Sequence, residues 1–243
     1  MNENYQDAMA ARISRRSFLD MEIEPQKLEL LQHKIAEVNA ESGLHVTWLP
    51  DGAAAMAGGK SYGMFHGVRA LLVLKGDRKL PHLREKIGYF GEILVLEATA
   101  LGLGTCWVGG TFDRTLLSVP EGEELVCVVP VGKVRTEATL KERMIRGAIH
   151  RKSKPIDQLL QTDEPIGEHL RRAMELVQRA PTARNLQKVS FIRKDGQISA
   201  HVPDDYPMDL VDLGICKLHF ELGFSGKFAW GNGGKLESMI QSS

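Results

Sequence analysis

Apolar residues recur along this chain with two different spacings. In EPQKLELLQHKIAEVNAES, Leu28, Leu31, Ile35 and Val38 fall three or four residues apart, which is one face of a helix, and Pro25 suits its first turn. LPHLREKIGYFGEILVLEATALGLG predicts a long helix. From Phe90 to Leu103 it is apolar nearly all round, so it belongs in a core. DLVDLGICKLHFELGF predicts a further amphipathic helix, and YQDAMAARISRRS a short one leading into a basic turn. TDEPIGEHLRRAMELVQRAP predicts a helix capped near Thr162 or Asp163 and stopped by Pro181. IRGAIHRKSKPIDQLL is basic and then weakly helical.

The second spacing is that of strands. LHVTWLP alternates and is rich in β-prone residues, while VRALLVLKG and LVCVVPVGKV are short apolar runs closed at a glycine. KVSFIRKDGQISAHV predicts a hairpin around Lys-Asp-Gly. The tail, GKFAWGNGGKLESMIQSS, carries few periodic signals. Residues 25–110 thus read helix, strand, strand, apolar helix, glycine-rich end, and residues 165–224 repeat that order. Individual residues barely match, so this is an echo of architecture, and it predicts an α+β fold.

Composition narrows the class. With 243 residues the chain can bury a real core, and 43% hydrophobic with 26% charged residues is the balance of a globular protein. Lys+Arg and Asp+Glu both number 31, which argues against nucleic acid or an anionic membrane as the main partner. The three widely spaced cysteines, Cys106, Cys127 and Cys216, make neither a disulfide framework nor a metal site. No signal-peptide core and no apolar run of about 18 residues is visible, so a cytoplasmic location is expected. The histidines show no metal-binding spacing, and no nucleophile elbow or catalytic triad is legible, so neither a metal nor a catalytic side chain is expected.

Four stretches could carry chemistry. ISRRSF (13–18) sets two guanidiniums beside a hydroxyl, a phosphate-binding combination, although alone it also reads as a solvated charge run. HRKSKP (150–155) is a second basic cluster, equally readable as an exposed linker. APTARNLQ (180–187) offers Thr182, Asn185 and Gln187, whose donors and acceptors suit a uracil-like ring edge and equally suit a helix-capping loop. GLGTCWVGG (102–110) follows a helix and so cannot be the dinucleotide fingerprint, which opens one. Its glycines either let backbone approach a ligand or end the helix with Trp107 as a core residue. Cys106 reads as packing.

Together these stretches resemble the nitroreductase family of flavin enzymes, and closest its Thermotoga-type branch. GLGTCW is the most specific match; RRS, VCVVPVGKV, RKSKPIDQ and APTARNLQKVSF support it. The sequence departs from most members in having Leu19 where a second basic residue is usual. It also places the APT block about 75 residues after GLGTCW instead of before it.

The resemblance implies an α+β nitroreductase-like fold that binds FMN and takes hydride from NADH or NADPH. The reaction it implies is ping-pong hydride transfer to an electron-poor small molecule such as a nitroaromatic or quinone. Flavin binding or sequestration without turnover is the alternative. By motif, Arg15, Arg16 and Ser17 would hold the FMN phosphate, helped by Arg151 and Lys152 (or Lys154). Asn185 and Thr182 would meet the pyrimidine edge, and Trp107, Val108 and Gly109 would line the ring. The motifs are divided between residues 1–160 and 161–243. The expected assembly is therefore two similar halves packed as a pseudo-dimer within one chain, around a single composite flavin site, either monomeric or weakly homodimeric.

Overall fold

The computed structural model describes residues 3–57, 59–149 and 153–237. In chain order it contains α1 (Glu3–Ala11), α2 (Pro25–Ser42), β1 (Thr47–Leu49), α3 (Ala53–Met56), β2 (Ala70–Asp77), α4 (Leu83–Ala100), β3 (Gly104–Thr105) and β4 (Glu123–Gly132). There follow α5 (Leu140–Ile149), α6 (Ile156–Leu159), β5 (Leu160–Thr162), α7 (Glu168–Val177), β6 (Ser190–Lys194), β7 (Gln197–His201), α8 (Asp209–Glu221), β8 (Lys227–Phe228) and β9 (Leu236–Glu237). This is an α+β fold.

The larger sheet is antiparallel with strand order β1-β2-β4-β3. Both of its faces are covered. On β2, Leu72 and Leu74 point into the main core while Leu71 and Val73 point into a second core with Phe18, Phe112 and Val128. Burial on both faces is why β2 and β4 read as unbroken apolar runs instead of alternating. The smaller sheet runs β5-β6-β7, with β5 parallel to β6 and β7 antiparallel to it. Asp195 and Gly196, which join β6 to β7, both have positive φ (51° and 73°), as a two-residue hairpin turn requires.

Two local expectations change. Helix α7 starts at Glu168 behind Gly167, not near Thr162, because Leu160–Thr162 instead forms β5 on the edge of β6. Helix α6 packs on α7, and β5 pairs with β6. The tail, featureless in sequence, forms the β8–β9 hairpin, and Phe228 packs against Phe191 and Phe220 with ring centroids 5.7 and 5.3 Å away.

The centre of the molecule is the crossing of α4 and α8. A Cβ on Gly88 would lie 1.9 Å from the carbonyl oxygen of Val211, and one on Gly214 would lie 2.0 Å from that of Glu85. Only hydrogen fits at either place, so the two backbones touch. The seam is less apolar than its sequence suggests. Lys217 pairs with Glu85 and donates to the carbonyls of Ala229 and Gly231 at 2.9 Å. Tyr89 donates to Glu221 at 2.6 Å, and His219 Nε2 meets Glu92 Oε1 at 3.0 Å. Charged groups survive here because each finds its partner across the seam, which a helix read alone cannot reveal.

Candidate functional site

A cleft of about 660 Å³ opens beside this seam, within the range of small-molecule and cofactor sites. Its walls come from both ends of the sequence. One side is residues 9–16, Met64, Phe65 and 106–111; the other is 178–185 and the face of α8 that carries Val211, Asp212 and Ile215.

The RRS segment is pinned at both ends. Ser14 pairs with Thr105 of β3, the N–H of Arg15 donates to the Thr105 carbonyl at 2.8 Å, and Ser17 bridges to His66. Its side chains go to different places. Arg16 lines the cleft. Arg15 is turned away and buried, its Nε 3.2 Å from Glu142 Oε1, and the Ser17 hydroxyl meets that of Thr139 at 3.2 Å. Of the three expected phosphate residues, the cleft therefore receives the side chain of one. Arg151 and Lys152 lie outside the described residues. Lys154 is engaged by Gln187, to whose backbone carbonyl its Nζ donates at 2.8 Å.

Glu142 stands behind this arrangement. Thr139-Leu140-Lys141-Glu142 is a capping box: Glu142 Oε2 accepts from the Thr139 N–H at 2.8 Å, and the Glu142 N–H donates to the Thr139 hydroxyl at 3.2 Å. The other oxygen, Oε1, accepts from the N–H groups of Arg16 and Ser17 at 2.8 and 3.0 Å and from Arg15. Burial pushes the carboxyl up. The Arg16, Thr139 and Ser17 N–H groups, with the Arg15 charge, override that and hold it at about 2.

Trp107, Val108 and Gly109 all line the cleft, together with Gly110. Trp107 is fixed from behind, its Nε1 donating to Glu92 at 2.8 Å, and Gly91 makes room for it: a Cβ there would lie 2.7 Å from the Trp107 ring. The glycines of this stretch divide their roles. Gly102, at φ +77°, ends α4. Gly104 and Gly109 give close approach to Val134 and Met208, and only Gly110 faces open space. Cys106 is buried and its thiol is pushed up by burial, consistent with packing.

Thr182 and Asn185 line the opposite wall. Their loop is strained: Arg184, Asn185 and Gln187 all have φ near +50°. Non-glycine residues rarely adopt that region, and such strain gathers at ligand clamps. Hydrogen bonds enforce it. The Asn185 N–H donates to the Thr182 carbonyl at 2.9 Å, the Gln187 N–H to the Thr182 hydroxyl at 3.1 Å, and the Ala183 N–H to Asp212 at 2.9 and 3.0 Å. The Thr182 hydroxyl accepts within the loop and keeps its O–H to donate.

Four residues that the sequence reading passed over complete the cleft. Arg12, Arg179 and Arg184 join Arg16 around it, and Asp212 lies at its floor. Arg12 Nε is buried without a hydrogen-bond partner among the described residues, and Glu92 Oε1 is 4.0 Å away. Arg179 and Arg184 bracket the APT block and were available as a signal. Arg12 follows α1 directly and Asp212 lies on α8, and the apolar spacing of these stretches hid both. Burial, then the Asp209 charge, pushes the Asp212 carboxyl up to about 8, against the Ala183 N–H and Lys188, so it is mostly neutral at pH 7. The chain carries no net charge, yet its cleft is positive. Among the described residues no cluster of His, Cys, Asp and Glu could hold a metal, and no helix is long and apolar enough to cross a membrane.

Comparison with known proteins supplies the context. No curated protein matches the chain. Among solved structures it resembles a "putative nitroreductase" of Thermotoga maritima, with 19% identity, a TM-score of 0.65, and 97% of this chain and 93% of that one covered. At that identity the likeness concerns the fold. A "nitroreductase with bound FMN" from Bacteroides fragilis is 20% identical, with 58% of this chain and 94% of that one covered and a TM-score of 0.44. Another from Desulfitobacterium hafniense is 19% identical, with 56% and 92% covered and a TM-score of 0.45. Residues 4–224 match the model of the family described as "Putative TM nitroreductase". The chain therefore belongs to this nitroreductase family.

Proposed function

We propose that this protein is an FMN-dependent NAD(P)H oxidoreductase of nitroreductase type, acting on an electron-poor small molecule such as a nitroaromatic or quinone. The observation that carries this reading is the cleft. It has the volume for a cofactor, a surface of Trp107, Val108, Gly109 and Gly110, a strained loop presenting Asn185 opposite, and four arginines at its rim. The buried Arg12 Nε, with no hydrogen bond among the described residues, is the kind of donor that an anionic or carbonyl-bearing ligand satisfies. The residues fit FMN. Arg16 and Arg12 would hold its acidic groups, Asn185 would meet the pyrimidine edge, and the Trp107–Gly110 backbone would back the ring. When bound, the cofactor supplies hydride acceptance and donation, and the protein supplies position and electrostatics. Among the chain's own residues, arginines attract anionic partners, Asp212 keeps the floor neutral, and Met208 and Ile215 limit water at that wall.

Residues 1–160 and 161–243 are proposed as the two halves of an intrachain pseudo-dimer, with α6, at the end of the first, packed on α7 of the second. The α4–α8 crossing and a cleft lined from both halves support this. A second reading, flavin binding without turnover, draws on one observation: Arg15 and Lys154, two of the expected phosphate ligands, are engaged within the protein. One experiment separates the readings. Purified protein incubated with FMN should show flavin absorbance that NADH or NADPH bleaches anaerobically. Bound flavin that neither nucleotide bleaches favours sequestration, and no bound flavin overturns both.

A further inference from the structure

The Glu142 carboxylate sits in a seat built for an anion. Two successive backbone N–H groups, of Arg16 and Ser17, converge on a single oxygen at 2.8 and 3.0 Å, and the Arg15 guanidinium closes on it from a buried position at 3.2 Å. Successive N–H groups with a guanidinium form the anion-binding concavity that phosphates use. The capping box accounts only for Oε2 and leaves these contacts to Oε1 unexplained. The seat adjoins the cleft, because Arg16 contributes its N–H to the seat and its side chain to the cleft wall.

Among the described residues no helix or strand packs extensively on α5. Leu140 and Met144, one turn apart on α5, are 69% and 68% exposed, whereas Glu142 is 3% exposed. The acid is therefore a buried attachment of α5 flanked by two exposed apolar side chains.

We propose that α5 is a latch whose Glu142 stands in for phosphate, and that the phosphate of an incoming flavin mononucleotide displaces Glu142 and releases α5. This rests on the FMN reading above. Glu142 brings one charge and shares its second oxygen with the helix end. A phosphate monoester brings up to two charges and three acceptor oxygens. Displacement also frees the Ser17 hydroxyl, now 3.2 Å from that of Thr139, as a further donor. The latch makes the protein select phosphorylated over unphosphorylated flavin only as strongly as phosphate outcompetes its own carboxylate. Apparent FMN affinity is lowered by the fraction of molecules that are latched.

The test compares wild type, Glu142→Gln and Glu142→Ala by equilibrium titration with FMN, riboflavin and inorganic phosphate, with circular dichroism as the fold check. Removing the acid should tighten FMN by about tenfold or more and leave riboflavin within about twofold, since riboflavin has no phosphate to seat. Inorganic phosphate should bind the variants more tightly than wild type. In wild type, FMN should speed amide exchange along α5, a readout that survives if either variant fails to fold. Unchanged FMN affinity in folded variants, equal gains for FMN and riboflavin, or α5 exchange that FMN leaves unchanged or slows would each overturn the latch. Tighter phosphate binding without flavin binding in any form would keep the seat and its displacement by free phosphate, and would overturn the FMN reading alone.

Discussion

Replacing Asp212 by Asn should stabilise the flavin-free protein at neutral pH and do little at pH 4. Asp212 lies on α8, is 3% exposed, and has only the Ala183 N–H as a donor among its described hydrogen bonds. Burial, with the nearby Asp209 charge, raises its carboxyl from 3.8 to about 8. The sign follows from linkage. Below the unfolded value both states are protonated and nothing is lost. As pH rises from about 4 to about 8 the unfolded chain releases its proton first, and stability falls across that window. At about 1.4 kcal/mol for each unit, the span from 3.8 to pH 7 corresponds to at most about 4 kcal/mol, and relaxation of the site lowers that to about 2–4. Asn keeps an oxygen for the Ala183 N–H and removes the charge. Its melting temperature should exceed that of wild type by roughly 5–15 °C at pH 7, on a scale of about 2–4 °C per kcal/mol for a chain of this size, and by little at pH 4. Differential scanning calorimetry across pH 4–8 measures it. A variant that is less stable throughout, with the same pH slope as wild type, would mean that Asp212 is a charged cap on Ala183, and the reasoning would fall.

Other outcomes follow from the same geometry. Gly88→Ala should cost about 3 kcal/mol or more in urea unfolding, because its methyl would meet the Val211 carbonyl at 1.9 Å, while the same change at Gly110, which faces open space, should cost under about 1 kcal/mol; equal effects would refute the backbone contact at the seam. Asn185→Leu should weaken flavin binding or shift the flavin's reduction potential while the far-ultraviolet spectrum is retained, and unchanged affinity and potential would reduce the loop to a helix cap. Sedimentation with flavin quantitation should give one flavin per monomer, and an obligate dimer carrying its flavins at an inter-chain interface would refute the composite site.

Some of this molecule was decided locally and was legible in the sequence. The heptad-like spacing of Leu31, Ile35 and Val38 made α2, the Asp-Gly turn made the β6–β7 hairpin, and burial on both faces required the unbroken apolar runs 70–74 of β2 and 125–131 of β4. The RRS, GLGTCW and APT stretches marked the cleft, because arginines, glycines and amides are needed there whatever surrounds them. Other features depended on neighbours distant in the chain. The side chains of Arg15 and Arg16 part because bridges from Ser14 to Thr105 and from Ser17 to His66 fix the segment, and Glu142 draws Arg15 away from the cleft. The T-x-x-E of the capping box could be read locally, but the partners of its second oxygen lie more than 120 residues away. Leu160–Thr162 became a strand only because β6 offered it an edge. Glu85, Glu92 and Lys217 could be buried only because each met its partner across the α4–α8 crossing. Periodicity and turn chemistry act over a few residues and survive in the sequence; partners for charge, and edges for strands, exist only once the chain has folded back on itself.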